Sequence, residues 1–236
     1  MELVLTAWQV PPPSPVLVED AVHLWRFPLA CQQPLAHLLE EQERERARRL
    51  LSPAQARAFV VARARLRQIL AVYLELAPQS LRFSYGRAGK PVLADHHAKA
   101  PAFNLAHSGG WGVCAVTRGS VVGVDIERLD RQFDYEKLAA QFFSAGERRW
   151  LQACTPARRR RLFFRIWTRK EAWLKGKGDG FSDPDQDIST PQLSSHGSHA
   201  GTWWLRSFPV ARRYLAALAL PLQPSVVQRW DGFPTS

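Results

Sequence analysis

Apolar and polar residues follow two different periods along this chain, and each period predicts a different secondary structure. Extended or alternating apolar stretches predict strands at residues 4–10, 19–27, 82–85, 102–105, 111–117, 121–125, 203–208 and 214–220. Apolar residues at helical spacing predict helices at residues 35–50, 53–77, 133–152 and 158–175. Because the helices and strands come in blocks, the pattern favours an α+β fold over a parallel α/β sheet.

A short turn in the middle of the chain indicates how the fold is divided. Arg118-Gly119-Ser120 separates two predicted strands and is typical of a hairpin, so we expect these two strands to pair. We accordingly predict an N-terminal subdomain at residues 1–118 and a C-terminal subdomain at residues 119–236. Residues 183–201 are polar and are predicted to form a surface loop.

The chain is strongly basic, which limits the kinds of partner it can attract. Its 236 residues carry 32 Lys and Arg against 21 Asp and Glu, a net charge of +11. A surplus of this size attracts polyanions such as nucleic acid, anionic lipid, phosphorylated ligands or an acidic protein. Charge alone does not choose among them.

Cysteine content and hydropathy predict the compartment. Cys31, Cys114 and Cys154 lie far apart in the sequence, which argues against a disulfide framework and fits a reducing compartment. The first ten residues lack a secretory signal pattern, and the apolar run at 214–222 is about half as long as a membrane span needs. We therefore expect a cytoplasmic protein.

The first candidate site is an acidic strand, in which residues 122–127 read Val-Gly-Val-Asp-Ile-Glu. Residues two apart on a strand point to the same side, so Asp125 and Glu127 share a face. Two carboxylates on one face repel unless a cation lies between them, and Mg²⁺ prefers carboxylate and phosphate oxygens. The alternative is a half-buried strand with a solvated acidic face.

The second candidate site is on a predicted helix. Glu171 and Lys175 are four residues apart and therefore lie on one helix face. An ordinary surface salt bridge would explain this pair equally well. If Glu171 meets Asp125 and Glu127, it becomes a third metal ligand, and Lys175 points towards the same bound phosphates.

The third candidate site combines two turns with phosphate-binding chemistry. Gly89-Lys90-Pro91 places a cation in a glycine turn, and His107-Ser108 precedes Gly109 in a second turn. A cation, an imidazole and accessible backbone N–H groups are common features of phosphate sites. Each turn is a weak signal alone, since a single histidine is more often structural.

Taken together, the order and spacing of these motifs resemble those of the Sfp-type 4'-phosphopantetheinyl transferase family. That family's pattern is Gly-Lys-Pro, Phe-Asn-(Leu/Ile)-Ser-His-Ser, Gly-(Val/Ile)-Asp-(Val/Ile)-Glu and Trp-x-x-Lys-Glu-(Ala/Ser)-x-x-Lys. This chain matches it at residues 89–91, 103–108, 123–127 and 167–175, with Ala106 in place of the usual serine. The resemblance extends over roughly residues 35–220.

The resemblance implies a fold and an activity. The fold would be a pseudo-twofold pair of similar α+β subdomains with the active site in the cleft between them, and the protein would be a monomer. The enzyme would transfer 4'-phosphopantetheine from coenzyme A to a serine of an apo acyl or peptidyl carrier protein. The reaction would depend on Mg²⁺ and release 3',5'-ADP.

The resemblance also implies roles for individual residues. Asp125, Glu127 and Glu171 would hold Mg²⁺, with Asp125, Glu171 and Lys175 as the catalytic residues and Glu171 as the general base. The residues that would contact coenzyme A are Arg57, Gly89, Lys90, Pro91, His107, Ser108, Lys170 and Lys175. Among the basic residues near the N-terminus, Arg46, Arg48, Arg49 and Arg63 are further candidates for phosphate contacts.

Two other classes of protein compete with this interpretation. A basic nucleic-acid-binding protein would explain the charge, but none of the usual binding motifs is present, and it would leave Asp125, Glu127 and Glu171 unexplained. An inactive family member acting as a binding module is the other alternative, although all three acidic positions are intact. We therefore expect coenzyme A and an acidic carrier protein as partners, and no nucleic acid or membrane.

Overall fold

The structure is a computed structural model that describes residues 4–86, 89–94, 100–130, 134–178, 198–200 and 202–233. The strands are β1 (Val4–Gln9), β2 (Ala21–Pro28), β3 (Phe83–Tyr85), β4 (Pro91–Leu93), β5 (Ala102–Ser108), β6 (Trp111–Thr117), β7 (Gly123–Arg128), β8 (Ser198–Ala200), β9 (Trp203–Ala211), β10 (Tyr214–Leu220) and β11 (Val226–Asp231). The α-helices are α1 (Glu41–Arg48), α2 (Pro53–Leu74), α3 (Tyr135–Phe142), α4 (Ala145–Ala153) and α5 (Pro156–Lys177). The chain forms two units: unit 1 comprises Met1–Ser120 and Pro224–Ser236, and unit 2 comprises Val121–Gln223.

Unit 1 is built on a five-stranded sheet with the order β1-β11-β2-β6-β5. Helix α2 begins at Pro53 with Ser52 as its N-cap, as the sequence predicts, and supplies Leu66, Ile69 and Leu70 to the core. These residues pack with Trp25 of β2, and all four are fully buried. The sheet and α2 therefore form one hydrophobic core.

Unit 2 is built on an antiparallel four-stranded sheet with the order β7-β10-β9-β8. Helix α5 packs against this sheet, and its Phe163 and Phe164 are buried. The ring of Phe163 stacks on Phe143, with 5.1 Å between centroids, which joins α5 to the end of α3. Strand β7 lies at the edge of the sheet.

The two units share one plan. Each contains a strand, a 22-residue helix, and a hairpin whose second strand pairs with the first strand. In unit 1 these elements are β2, α2 and the β5–β6 hairpin, and in unit 2 they are β7, α5 and the β9–β10 hairpin. This confirms the predicted α+β class with two similar subdomains.

The hairpin predicted at residues 118–120 is wrong. Strand β6 pairs with β5 and β2, whereas β7 pairs with β10 in the other sheet. The hairpin next to β6 turns instead at Gly109, which has a φ of 54° and lies between the paired residues Ser108 and Trp111. A turn signal redirects the chain, but the choice of partner strand depends on distant contacts that the local pattern does not contain.

Two predicted helices are interrupted at capping residues. The stretch 35–50 becomes a 3₁₀ turn followed by α1, because Glu40 forms a capping box with Glu43. The stretch 133–152 contains both α3 and α4, because Ser144 forms a second capping box with Glu147. Each capping box starts a new helix by satisfying N–H groups that a continuous helix would use internally.

Strand β11 was not expected from the sequence. It lies between β1 and β2 and runs parallel to both. Residues 224–236, which the sequence analysis placed in the C-terminal subdomain, therefore belong to unit 1. None of the helices in the described part of the chain is long and apolar enough to span a membrane.

The central position of β11 makes it essential for the stability of unit 1. Val227 of β11 is completely buried, so Val227→Asp would place an uncompensated charge in the core and should destabilise the protein by about 4 kcal/mol or more. Leu222→Asp is the matched control, because Leu222 is 77% exposed just before this strand. Urea unfolding measures both, and equal stability of the two variants would contradict the placement of β11.

Candidate active site

Strand β7 holds two carboxylates at the edge of the unit 2 sheet. Val124 and Ile126 are fully buried, and Asp125 is only 5% exposed although it lies between them. Glu127 is half-buried. The predicted face with Asp125 and Glu127 therefore exists, but Asp125 is far less solvated than a surface acid, which excludes the simple solvated-face interpretation.

Helix α5 approaches β7 closely because two glycines remove side chains from the contact. A Cβ placed on Gly123 would lie 1.8 Å from the carbonyl oxygen of Ala172 and 2.5 Å from the amide nitrogen of Gly176. A Cβ on Gly176 would meet the Trp203 ring at 2.6 Å. The backbones of β7 and α5 are therefore in direct contact at the start of the strand.

This contact brings Lys175 of α5 to Asp125 of β7. The ammonium Nζ lies 2.6 Å from Asp125 Oδ1 and donates a hydrogen bond to it. Burial raises the pKa of Asp125, and the charge and hydrogen bond of Lys175 offset part of that rise. Burial alone would lower the pKa of Lys175, but Asp125, followed by Glu171 and Glu127, raises it above its ordinary value.

Glu171 completes the cluster. Burial raises the pKa of Glu171 to about 7, the negative charges of Asp125 and Glu127 add to this rise, and Lys175 opposes it. The charges of Asp125 and Glu127 thus act on Glu171, and those of all three carboxyl groups act on Lys175.

The cluster has the chemistry of a divalent-cation site. The second oxygen of Asp125, Oδ2, is buried and has no hydrogen-bond partner among the described residues. An orphaned carboxylate oxygen beside two further acids is the donor set that Mg²⁺ prefers. Within the described ranges, no three acidic, histidine or cysteine side chains already converge on one point, so binding a metal would require side-chain adjustment.

The predicted phosphate-binding turns both lie in unit 1. Gly89 has a φ of 72°, which favours glycine, and Pro91 begins β4 directly after Lys90. Burial lowers the pKa of Lys90 to about 8. His107 is exposed and Ser108 half-buried at the end of β5.

The predicted Arg57 is exposed on the first turns of α2. It lines a groove of about 850 Å³ whose other wall is formed by residues 29–36. Arg63, another of the basic candidates, is buried instead and forms an ion pair with Glu43. Of these two arginines, Arg57 is the one that a phosphate can reach.

Lys170 is also buried. Its Nζ lies 3.0 Å from Glu147 Oε2, and the side chains are 5% and 0% exposed, respectively. Glu147 was not singled out from the sequence, and neither was Gly176. Ser144-Ala-Gly-Glu147 is, however, a recognisable capping-box signature.

Comparisons with known proteins place both parts of the chain in one family. Residues 25–118 match the family described as 4'-phosphopantetheinyl transferase, N-terminal, and residues 121–219 match the 4'-phosphopantetheinyl transferase superfamily. The chain is 37% identical over 220 residues to the 4'-phosphopantetheinyl transferase HetI of Nostoc sp., covering 90% of this chain and 93% of that protein. It is 30% identical over 151 residues to the 4'-phosphopantetheinyl transferase Sfp of Bacillus subtilis, covering 64% and 65%. This chain belongs to the 4'-phosphopantetheinyl transferase family.

The glycine contact leads to a direct test of the site. Gly123→Ala should destabilise the protein by about 3 kcal/mol or more, because the new methyl group overlaps backbone atoms that cannot rotate away. Gly146→Ala is the control, since a Cβ at Gly146 in α4 meets nothing closer than 3.8 Å. That control should be neutral or stabilising by about 0.5–1 kcal/mol. Thermal and urea unfolding distinguish the variants, and a fully stable Gly123→Ala protein would refute the close contact of β7 with α5.

Proposed function

We propose that this protein transfers the 4'-phosphopantetheine moiety of coenzyme A to a serine of an apo acyl or peptidyl carrier protein. The proposed reaction depends on Mg²⁺ and releases 3',5'-ADP. The observation that carries the proposal is the cluster of buried Asp125 with half-buried Glu171 and Lys175, which lies inside the region matched by the transferase superfamily. Named relatives that cover most of the chain support the same activity.

Asp125, Glu127 and Glu171 are the proposed Mg²⁺ ligands. Support comes from the buried Oδ2 of Asp125, which has no hydrogen-bond partner among the described residues, and from the pKa of Glu171, which burial and the charges of Asp125 and Glu127 raise. When bound, the ion supplies charge neutralisation for the pyrophosphate and so improves 3',5'-ADP as a leaving group. Lys175 would add a second positive charge next to the same carboxylates and donate to phosphate oxygens.

Glu171 is the proposed general base. The serine oxygen attacks the β-phosphorus, the bond from phosphorus to the 3',5'-ADP oxygen breaks, and the serine proton passes to a carboxylate. A pKa of about 7 lies close to the pH at which a general base is most effective. A cation bound to Glu171 would lower this pKa, so proton transfer and metal binding compete at this residue.

The unit 1 residues are proposed to bind the nucleotide part of coenzyme A. Lys90, His107 and Ser108 would contact the phosphates, including the 3'-phosphate, with the turn of Gly89 and Pro91 shaping the site. Support comes from the positive φ of Gly89 and from the exposed ring of His107. Arg57 is proposed as a further phosphate contact, since it is the exposed arginine on α2 that lines a groove.

The carrier protein is proposed to be acidic and the enzyme to act as a monomer. A net charge of +11 would draw an acidic carrier towards the enzyme.

The activity test combines the wild-type protein with Asp125→Ala. Each is incubated with coenzyme A, Mg²⁺ and a panel of apo carrier proteins, and intact-mass spectrometry detects the added phosphopantetheine. We expect the wild type to modify at least one carrier and Asp125→Ala to modify none while remaining folded, because the site loses one of few carboxylates. Wild-type transfer rates by Asp125→Ala at low Mg²⁺ would disprove the metal assignment.

The nucleotide assignment is tested with dephospho-coenzyme A. His107→Ala should weaken coenzyme A binding by about tenfold or more, the value of a hydrogen bond to a charged group, and should weaken dephospho-coenzyme A much less. His37→Ala is a matched control on an exposed histidine of unit 1 and should affect neither ligand. Calorimetric titration gives both affinities, and equal losses for the two ligands would remove His107 from the 3'-phosphate.

A further inference from the structure

Lys170 directly precedes Glu171 in the sequence but occupies a different environment. Its ammonium lies in the interior of unit 2, 3.0 Å from Glu147 Oε2 and 5.8 Å from the centroid of the Phe143 ring. Its side chain is 5% exposed, compared with 33% for Lys175. A lysine that is this buried and already paired has little surface to offer a soluble ligand.

Glu147 uses the same oxygen to organise the start of α4. Oε2 accepts a hydrogen bond from the backbone N–H of Ser144 at 2.8 Å, and the Ser144 hydroxyl accepts one from the N–H of Glu147 at 3.3 Å. The carboxylate of Glu147 therefore joins the capping box of α4 to Lys170 of α5. We call this contact the α4–α5 ion pair.

Unit 1 contains an equivalent contact. Glu43 has the capping-box position in α1 that Glu147 has in α4, and it pairs with Arg67 of α2 at 2.6 Å. Both side chains are 0% exposed. Arg67 and Lys170 occupy the same position, fourteen residues after the proline that begins each long helix. A cation at this helix position therefore pairs with a capping-box glutamate in both units.

The residues next to this cation differ between the two units, and the difference indicates whether the cation has a structural or a ligand-binding role. Where α5 has Glu171 and Lys175, the corresponding positions of α2 hold Gln68 and Val72. The helix of unit 1 therefore has the buried cation without the charged pair. Arg67 is buried and paired although α2 has no acidic pair beside it. We infer that the buried cation at this position stabilises the contact between the short and the long helix.

We propose that Lys170 is a positioning residue, which fixes α5 through the α4–α5 ion pair so that Glu171 and Lys175 meet Asp125, and that it does not contact coenzyme A. The proposal rests on the proposed function and replaces the ligand role that sequence resemblance gave to Lys170. Its physical basis is that a buried charge is tolerated only next to its partner, so the pair sets the position of one helix on the other.

The test uses four variants of the full-length protein and one control. Lys170→Met and Glu147→Gln each break the α4–α5 ion pair, the double variant removes both charges, and Lys170→Arg keeps the positive charge. Lys177→Met is the control, because it removes one charge from an exposed position on the same helix. For each protein, kcat and KM for coenzyme A, Mn²⁺ affinity without coenzyme A, and the urea midpoint are measured.

A positioning role predicts the same pattern for both single variants. Lys170→Met and Glu147→Gln should each lower kcat and Mn²⁺ affinity at least tenfold, while KM for coenzyme A changes less than threefold. The double variant should lose no more activity than the worse single variant, because neither charge is left buried alone. Lys170→Arg should recover most of the loss, and Lys177→Met should match the wild type.

A ligand role predicts the opposite pattern. If Lys170→Met raises KM for coenzyme A tenfold at unchanged Mn²⁺ affinity and urea midpoint, and Glu147→Gln behaves as wild type, the positioning role is overturned. If the single variants do not fold, Lys170→Arg decides, since full loss of Mn²⁺ binding in a folded Lys170→Arg protein also overturns it. Mn²⁺ affinity and the urea midpoint are measured without a carrier protein. They therefore test the positioning role of Lys170 even if no phosphopantetheine transfer is observed.

Discussion

The candidate site depends on the direct contact between the backbone of β7 and the backbone of α5. Gly123 and Gly176 permit this contact, and any side chain at Gly123 would collide with the carbonyl of Ala172. Because strand and helix meet without intervening side chains, Asp125 becomes buried and Lys175 reaches it at 2.6 Å. The chemistry of the site is therefore a consequence of packing as much as of residue identity, since the same carboxylates on a separated strand would be solvated and ordinary.

Burial at this contact produces an electrostatic imbalance that suits an anion-binding metal site. Lys175 compensates Asp125 only in part, and the pKa of Glu171 rises to about 7 through burial and, to a smaller extent, through the charges of Asp125 and Glu127. A protein that served stability alone would gain by replacing such a group with an apolar one. The imbalance is accordingly a sign of function. Unit 1 has the same frame with Gln68 and Val72 at the corresponding positions of α2, so its long helix does not carry the charged pair.

Local sequence patterns predicted the parts of the fold that local physics determines. The N-cap of α2 at Ser52, the strand with Asp125 and Glu127, and the shared face of Glu171 and Lys175 all follow from short-range rules. Strand β11 could not be found in this way, since its parallel neighbours β1 and β2 lie about two hundred residues away in the chain. The environment of Lys170 could not be predicted from the sequence either. A lysine next to Glu171 looks the same in the sequence whether its side chain faces a ligand or a buried glutamate.

The basic residues of this protein fall into two groups, those buried in ion pairs and those exposed to solvent. Arg63, Arg67 and Lys170 are buried and lie against Glu43 or Glu147, so these cations contribute little to the field outside the protein. The surplus of +11 must then come largely from exposed residues such as Arg57. Exposed charge acts over about 10 Å at 0.1 M salt, which is the range needed to attract an anionic ligand or carrier before contact. Buried cations thus hold the helices together, and the exposed cations are the ones available to attract an anionic partner.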